Sequence, residues 1–187
     1  SELNNIRHRA DDITVHRGDL RDQHSVRNAL SALKGTDDAI IFHLGAQAHV
    51  GESWDRPYET IDTNVTGTLN LLQAIVDLDL DIYKFDTAGT SEEYGNVNEE
   101  MAESHEFEED GRVILSERSP VNPTSIYATS KLAADFLTMN FHDAYDVPTV
   151  TTRMFNNYGP RQNPRYITGT IITQALERDF VELGNLE

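Results

Sequence analysis

The 187-residue sequence predicts an α/β fold built on a parallel sheet. Two observations carry that prediction. Short apolar and β-branched runs alternate with segments of helical periodicity along the whole chain, and no internal repeat or low-complexity linker interrupts them. A hydrophobic fraction of 38% is enough, at this length, for one buried core.

In chain order, Asp12–His16 reads as a short strand running into Gly18-Asp19-Leu20. Asp22 can cap a helix that carries Val26, Leu30 and Leu33 on one face and stops at Gly35. Ala39–Leu44 is the next strand, closed by Gly45. A long helix starts near Pro57, with Ile61, Val65, Leu69, Leu72 and Val76 expected to face the core. Asp81–Ala88 follows as a strand, Thr124–Tyr145 as a second long helix, Thr149–Phe155 as a strand and Thr168–Arg178 as a helix. The irregular stretch is Asn96–Pro123, acidic over Glu99–Asp110, with a small strand expected at Arg112–Leu115. A loop of that length inside a compact domain reads as a flap near a site, ordered on binding, or as a solvated insertion. The ends look cut. An alternation that opens on what reads as a middle strand and stops just past a helix predicts a segment of a longer protein.

Asp and Glu number 32 against 15 Lys and Arg, a net charge of −17. Only Lys34, Lys84 and Lys131 are lysines. Such a surface repels nucleic acid and anionic membranes, so neither is an expected partner. No apolar run approaches the ~18 residues of a spanning helix, and Ser1–Asn5 carries no signal-peptide pattern. Acid excess with scarce lysine points to a salt-adapted protein, against the plainer reading of a solvated acidic surface. There are no cysteines, which excludes disulfides and thiolate metal sites and fits a cytoplasmic protein. His43 and His49 read as structural or solvated, so no metal is expected.

Three groups of residues can do chemistry. Tyr127 and Lys131 lie four apart on one helix face. A phenol ionises near pH 10, so it serves as a base at neutral pH only beside a positive charge, which Lys131 can provide. Thr90-Ser91-Glu92-Glu93-Tyr94-Gly95 follows the Asp81–Ala88 strand, at the strand end where open α/β sheets place their ligands. There a hydroxyl and a carboxylate two residues apart offer a donor and a proton acceptor; taken alone, they also read as turn-capping residues. Gly45-Ala46-Gln47 is small enough for a cofactor backbone to approach, and Asp19 can hold an adenine edge.

Together and in this order these stretches resemble the extended short-chain dehydrogenase/reductase family, the nucleotide-sugar epimerases and dehydratases. The resemblance rests on Gly18 to Asp22, His43 to Gln47, Asn64-Val65-Thr66-Gly67-Thr68, Thr90 to Gly95, Tyr127 to Lys131 and Arg153 to Arg161. Asn156-Asn157-Tyr158-Gly159-Pro160 is similar to the 4,6-dehydratase version. The resemblance implies a Rossmann-like doubly wound sheet lacking its first strands and most of the C-terminal substrate domain. Residues 1–187 would then be a partial NAD-binding domain, with 156–187 beginning the substrate-binding part.

For activity, it implies a tightly held NAD and a nucleotide-diphosphate sugar. Tyr127 is the base at C4, Lys131 its charged neighbour, Thr90 a hydrogen-bond donor to the same oxygen and Glu92 the base at C5. Ser91 stands where glucose-type enzymes carry an aspartic acid, which leans away from a dTDP-glucose substrate. Asp19, Leu20, Leu44, Gly45, Ala46 and Gln47 would contact the cofactor, and Asn156 and Arg161 the substrate. A homodimer formed through the two long helices is implied as well. A 4-epimerase, a decarboxylase and a non-catalytic binding module are the competing readings.

Three features depart from the family. Before Gly45 the only glycines are Gly18 and Gly35, so no Gly-x-x-Gly-x-x-Gly loop is present to cradle a pyrophosphate. The chain also stops before most of a substrate domain, and Asn96–Pro123 is longer than in many relatives. The piece alone is therefore expected to be inactive and to bind NAD poorly.

Overall fold

A computed structural model of the chain describes residues 3–97 and 105–184. The chain divides into two compact units, one ending at Met154 and the other starting at Phe155.

The first unit is built on three parallel strands, β1 (Ala39–His43), β2 (Ile82–Ala88) and β5 (Thr149–Thr152), in the order β1-β2-β5. A two-stranded antiparallel hairpin, β3 (Glu106–Phe107) with β4 (Val113–Ile114), forms inside the irregular stretch. This is where the sequence predicts its small strand. The part of that stretch at residues 98–104 lies outside the described residues, so the expected flap is not described as a whole.

Helix α1 (Gln23–Leu30) starts at Asp22, whose carboxylate accepts the His24 N–H at 3.0 Å. Val26 and Leu30 face inward. They meet Leu71, Leu72, Ala74 and Ile75 of α4 (Gly67–Asp77), Phe85 of β2 and Phe141 of α5 (Ile126–Tyr145), which together form the core.

One expectation fails and another holds in part. Asp12–His16 is not a strand: 3-10 turns run over Leu3–Asp12, and Ile13 and Val15 are exposed. A strand exists only through its ladder, and among the described residues none lies alongside to pair with it. The long helix expected from near Pro57 is present: α3 (Pro57–Ile61), a π turn over Asp62–Thr66 and α4 run on without a break to Asp77, preceded by the short helix α2 (Val50–Asp55). Its buried face meets the expected stripe only in the last turns: Leu72 is buried and Val76 packs against the core, whereas Ile61 and Leu69 are exposed and Thr60, Asn64 and Thr68 are buried in their place. Polar side chains win the inside positions because each finds a hydrogen-bond partner there.

The second unit carries α6 (Ile167–Glu177), close to its expected span.

Candidate active site

Because β1, β2 and β5 are parallel, His43, Ala88 and Thr152 end on one edge of the sheet. The segments that leave this edge carry the residues singled out by the sequence. After β2, Thr90 caps a single 3-10 turn, Ser91–Glu93. Its Oγ1 accepts the Glu92 N–H at 3.3 Å, and Glu93 reaches back to accept the Thr90 N–H at 2.9 Å. This reciprocal pair is a capping box. It leaves the Thr90 hydroxyl proton free to donate, and it leaves the Glu92 carboxylate exposed. Ser91 is half-buried, and its N–H donates to the Met154 carbonyl at 2.8 Å.

Ser125 starts α5 by accepting the Ala128 N–H at 3.0 Å, which places Tyr127 in the first turn and Lys131 in the second. Tyr127 is half-buried and Lys131 is buried. Burial pulls the Lys131 ammonium below its usual range, and the Glu93 charge opposes that pull. His43, at the end of β1, shares a 2.9 Å hydrogen bond with Thr68 Oγ1. Burial first, then the Lys131 charge, holds its imidazole down at about 4, so it stays neutral beside the ammonium.

Asn64, inside the π turn, joins two of the predicted groups. Its Oδ1 accepts the Gln47 N–H at 2.8 Å, and its Nδ2 donates to the Gln47 carbonyl at 3.0 Å and to Ser130 Oγ at 2.8 Å. Ser130 in turn donates to the Tyr127 carbonyl at 2.7 Å. The Gly45–Gln47 loop is thereby tied to the Tyr127–Lys131 turn.

The smallness of Gly45 serves the protein's own packing. A Cβ there would lie 2.7 Å from Leu20 Cδ1, and one at Gly67 would lie 2.9 Å from Leu20 Cβ. Asp19 and Leu20 line a cavity of about 180 Å³ with Gly18, Val26 and Leu71. Arg21 grips the Asp19 carboxylate with Nε at 3.0 Å and Nη2 at 2.6 Å, and these bonds hold Asp19 down at about 2. Leu44 is exposed and Ala46 half-buried.

Asn156 and Arg161 belong to the second unit, where both are exposed. Arg161 has a left-handed backbone with φ of 74°. It lines a cavity of about 340 Å³ with Tyr158, Gln162, Thr168 and Ile172.

Sequence reasoning passes over Asn64, Glu93, Asp135 and Arg153 as individual residues. For Glu93 the signal is the Thr-x-x-Glu spacing from Thr90; for the others, no spacing in the sequence announces the contact. Among the described residues no cluster of His, Cys, Asp or Glu could hold a metal ion, and no helix is long and apolar enough to cross a membrane.

A family model described as GDP-mannose 4,6 dehydratase matches residues 1–187. The GDP-mannose 4,6-dehydratase sdnI of Sordaria araneosa is 35% identical over 181 residues, covering 93% of this chain and 30% of its own length. Among solved structures, a double mutant of DesIV from Streptomyces venezuelae, a dTDP-glucose 4,6-dehydratase with NAD and DAU bound, is 31% identical with a TM-score of 0.70. It covers 86% of this chain, which spans 44% of it. The UDP-glucose 4-epimerase of Thermus thermophilus in complex with NAD is 29% identical with a TM-score of 0.69. There the coverage is 89% of this chain and 50% of that one. The fold is Rossmann-like, and the chain spans half or less of each of these proteins.

Proposed function

Since the chain belongs to the GDP-mannose 4,6-dehydratase family, we propose that the protein carrying it is an NAD-dependent nucleotide-sugar 4,6-dehydratase. The observation that carries this reading is the turn after β2. There an exposed Glu92 and a Thr90 with a free hydroxyl proton stand on the same sheet edge as the Tyr127–Lys131 helix.

The residues present fit the two ends of a dinucleotide. Asp19 and Leu20 line a cavity of a size for an adenine ring, Leu44, Gly45, Ala46 and Gln47 follow β1, and Tyr127 with Lys131 offers donors for a ribose. NAD, when bound, supplies the hydride acceptor for C4 and the hydride donor for C6.

Tyr127 takes the proton of the C4 hydroxyl, and the Lys131 ammonium stabilises the phenolate that performs this step. Thr90 donates to the same oxygen. With C4 a ketone, the C5 proton is acidic, and Glu92 removes it. The departing C6 hydroxyl leaves as water, protonated by Ser91 or by Glu92 itself. Asn156 and Arg161 are the substrate-binding residues of the second unit, making 156–187 the beginning of the substrate-binding part.

Exposed Ile61 and Leu69 on the α3–α4 series, with exposed Phe136 and Met139 on α5, support a homodimer through these helices. The net charge of −17 supports a salt-adapted protein, whose thermal midpoint should rise with added salt over the molar range. The lack of cysteine supports a cytoplasmic one.

The test is incubation of the full-length protein with a panel of nucleotide sugars in deuterated water. The expected product is a 4-keto-6-deoxy sugar, lighter by one water, with solvent deuterium at C5. An epimerised sugar of unchanged mass, protiated at C5, would replace this reading with the 4-epimerase one. No turnover of any sugar would favour a binding module.

A further inference from the structure

The turn after β2 and the start of α5 carry the proposed chemistry on separate segments, and Arg153 touches both. It is the first residue past β5, and its side chain is 17% exposed. The backbone on either side of it holds the turn. The Gly89 N–H donates to the Thr152 carbonyl and the Ser91 N–H to the Met154 carbonyl, each at 2.8 Å.

The Arg153 side chain reaches α5. Nε donates to Asp135 Oδ2 at 3.0 Å, and Nη2 donates to the same oxygen at 2.6 Å. Asp135 lies four residues beyond Lys131 and eight beyond Tyr127, so the three stand along one helix face. The same guanidinium meets the end of the turn. It lies 5.3 Å from the centroid of the buried Tyr94 ring, within cation–π range, and Nη1 donates to the Tyr94 hydroxyl at 3.4 Å. Glu93 Oε2 stands 2.9 Å from Nε as an ion pair without a hydrogen bond, because the single Nε proton goes to Asp135. Burial pushes that carboxyl up to about 7, against the Thr90 N–H that Oε1 accepts at 2.9 Å. Two buried carboxylates therefore share one guanidinium, whose planar array of donors a lysine ammonium would not reproduce.

We propose that Arg153 is a positioning residue for the reaction proposed above, on which this inference rests: it fixes the turn that carries Thr90 and Glu92 against the helix face that carries Tyr127 and Lys131. The role needs no contact with sugar or cofactor. Thr90 and Tyr127 must meet one oxygen and Glu92 the neighbouring carbon, so a turn displaced from α5 by about 1 Å loses rate while binding persists.

The test is Arg153→Lys in the full-length protein, which keeps a cation beside the two carboxylates and removes the planar donors. Amide exchange at Thr90 and Ser91 should accelerate by about tenfold or more, with exchange at Phe85 in the core held within about threefold. Unchanged exchange in the turn, or an equal acceleration at Phe85, would overturn the proposal. kcat should fall by about tenfold or more with KM within about threefold. An unchanged kcat would sink the role, whether or not KM rises.

Asp135→Asn loosens the same bracket from the helix side. The double variant should therefore lose no more than about threefold in kcat beyond the worse single variant. Losses that multiply would show two independent residues and reject the bracket. If Arg153→Lys does not fold, Asp135→Asn carries the exchange and rate measurements in its place. A full-length protein that turns over no nucleotide sugar would reject the dehydratase reading, while exchange at Thr90 and Ser91 would still decide whether Arg153 holds the turn.

Discussion

The two faces of the parallel sheet are unlike. Partners in register share a face, so Ile41, His43, Phe85 and Thr87 point one way, and Ile40, Phe42, Asp86 and Val150 the other. The first face is packed under α1, α4 and α5: Phe85 is 0% exposed, and Thr87 shares a 3.0 Å hydrogen bond with Thr138 of α5. On the second face Phe42 is 63% exposed and Ile40 50%. Parallel sheets ordinarily carry helices on both faces. Here the stabilising core and the polar network that ties Gln47 to Ser130 both lie on the covered side. Stability and the candidate chemistry are therefore coupled through the same helices.

The largest expected contrast is mechanical. Phe85→Ala should cost about 3–5 kcal/mol in a urea melt, because the cavity it leaves is enclosed. Phe42→Ala should shift the same melt by only about 0.5 kcal/mol or less. Equal losses would erase the distinction between the faces.

Asn64→Ala comes next. It leaves the Gln47 N–H and the Ser130 hydroxyl without this partner, for a loss of about 1–3 kcal/mol. Hydrogen exchange at the Gln47 amide should accelerate more than exchange at core amides. Uniform acceleration would mean that Asn64 supports the fold generally and not this link.

The third prediction concerns pH. His43 is held down at about 4 against an unfolded value of 6.5, so the unfolded chain binds more protons between these values. Its contribution is complete above 6.5 and is lost as pH falls toward 4. Glu93, raised to about 7 from 4.5, works the other way: the folded chain binds more protons there, and stability falls as pH rises through that window. The two slopes, each at most about 1.4 kcal/mol per pH unit, should largely cancel from roughly 4.5 to 6.5. His43→Gln should unmask a stability that declines with pH, and Glu93→Gln one that climbs. Parallel slopes in the two variants would refute the opposition.

Smallest of all, Phe42→Thr should leave the melt within about 0.5 kcal/mol and reduce self-association in light scattering, because it removes apolar surface and no packing.

The contrast between the faces also explains what the sequence could reveal. Helical spacing and capping chemistry are local, so α1 from Asp22, α5 to Tyr145 and the strands Ala39–His43 and Ile82–Ala88 were all legible. Which side of an element is buried is not local. Ile40 and Phe42 are as hydrophobic as Ile41, and only the partner helices tell them apart. The same limit hid the buried face of the first turns after Pro57, where Thr60, Asn64 and Thr68 took the inside by hydrogen bonding. For the candidate site, Thr90, Glu92, Tyr127 and Lys131 could be picked out by residue type and spacing. Arg153 and Asp135, 18 residues apart in sequence, meet only in the fold.

The Ser125 cap has an electrostatic consequence. Tyr127 is the second residue of the 20-residue helix α5. The aligned peptide dipoles of such a helix leave roughly half a positive charge at its first turn, on amides with no carbonyl of their own to meet. A phenolate at that end is favoured by the backbone before any side chain contributes. Ser125, which makes no contact with a sugar in the proposed reaction, fixes the helix end on which Tyr127 stands.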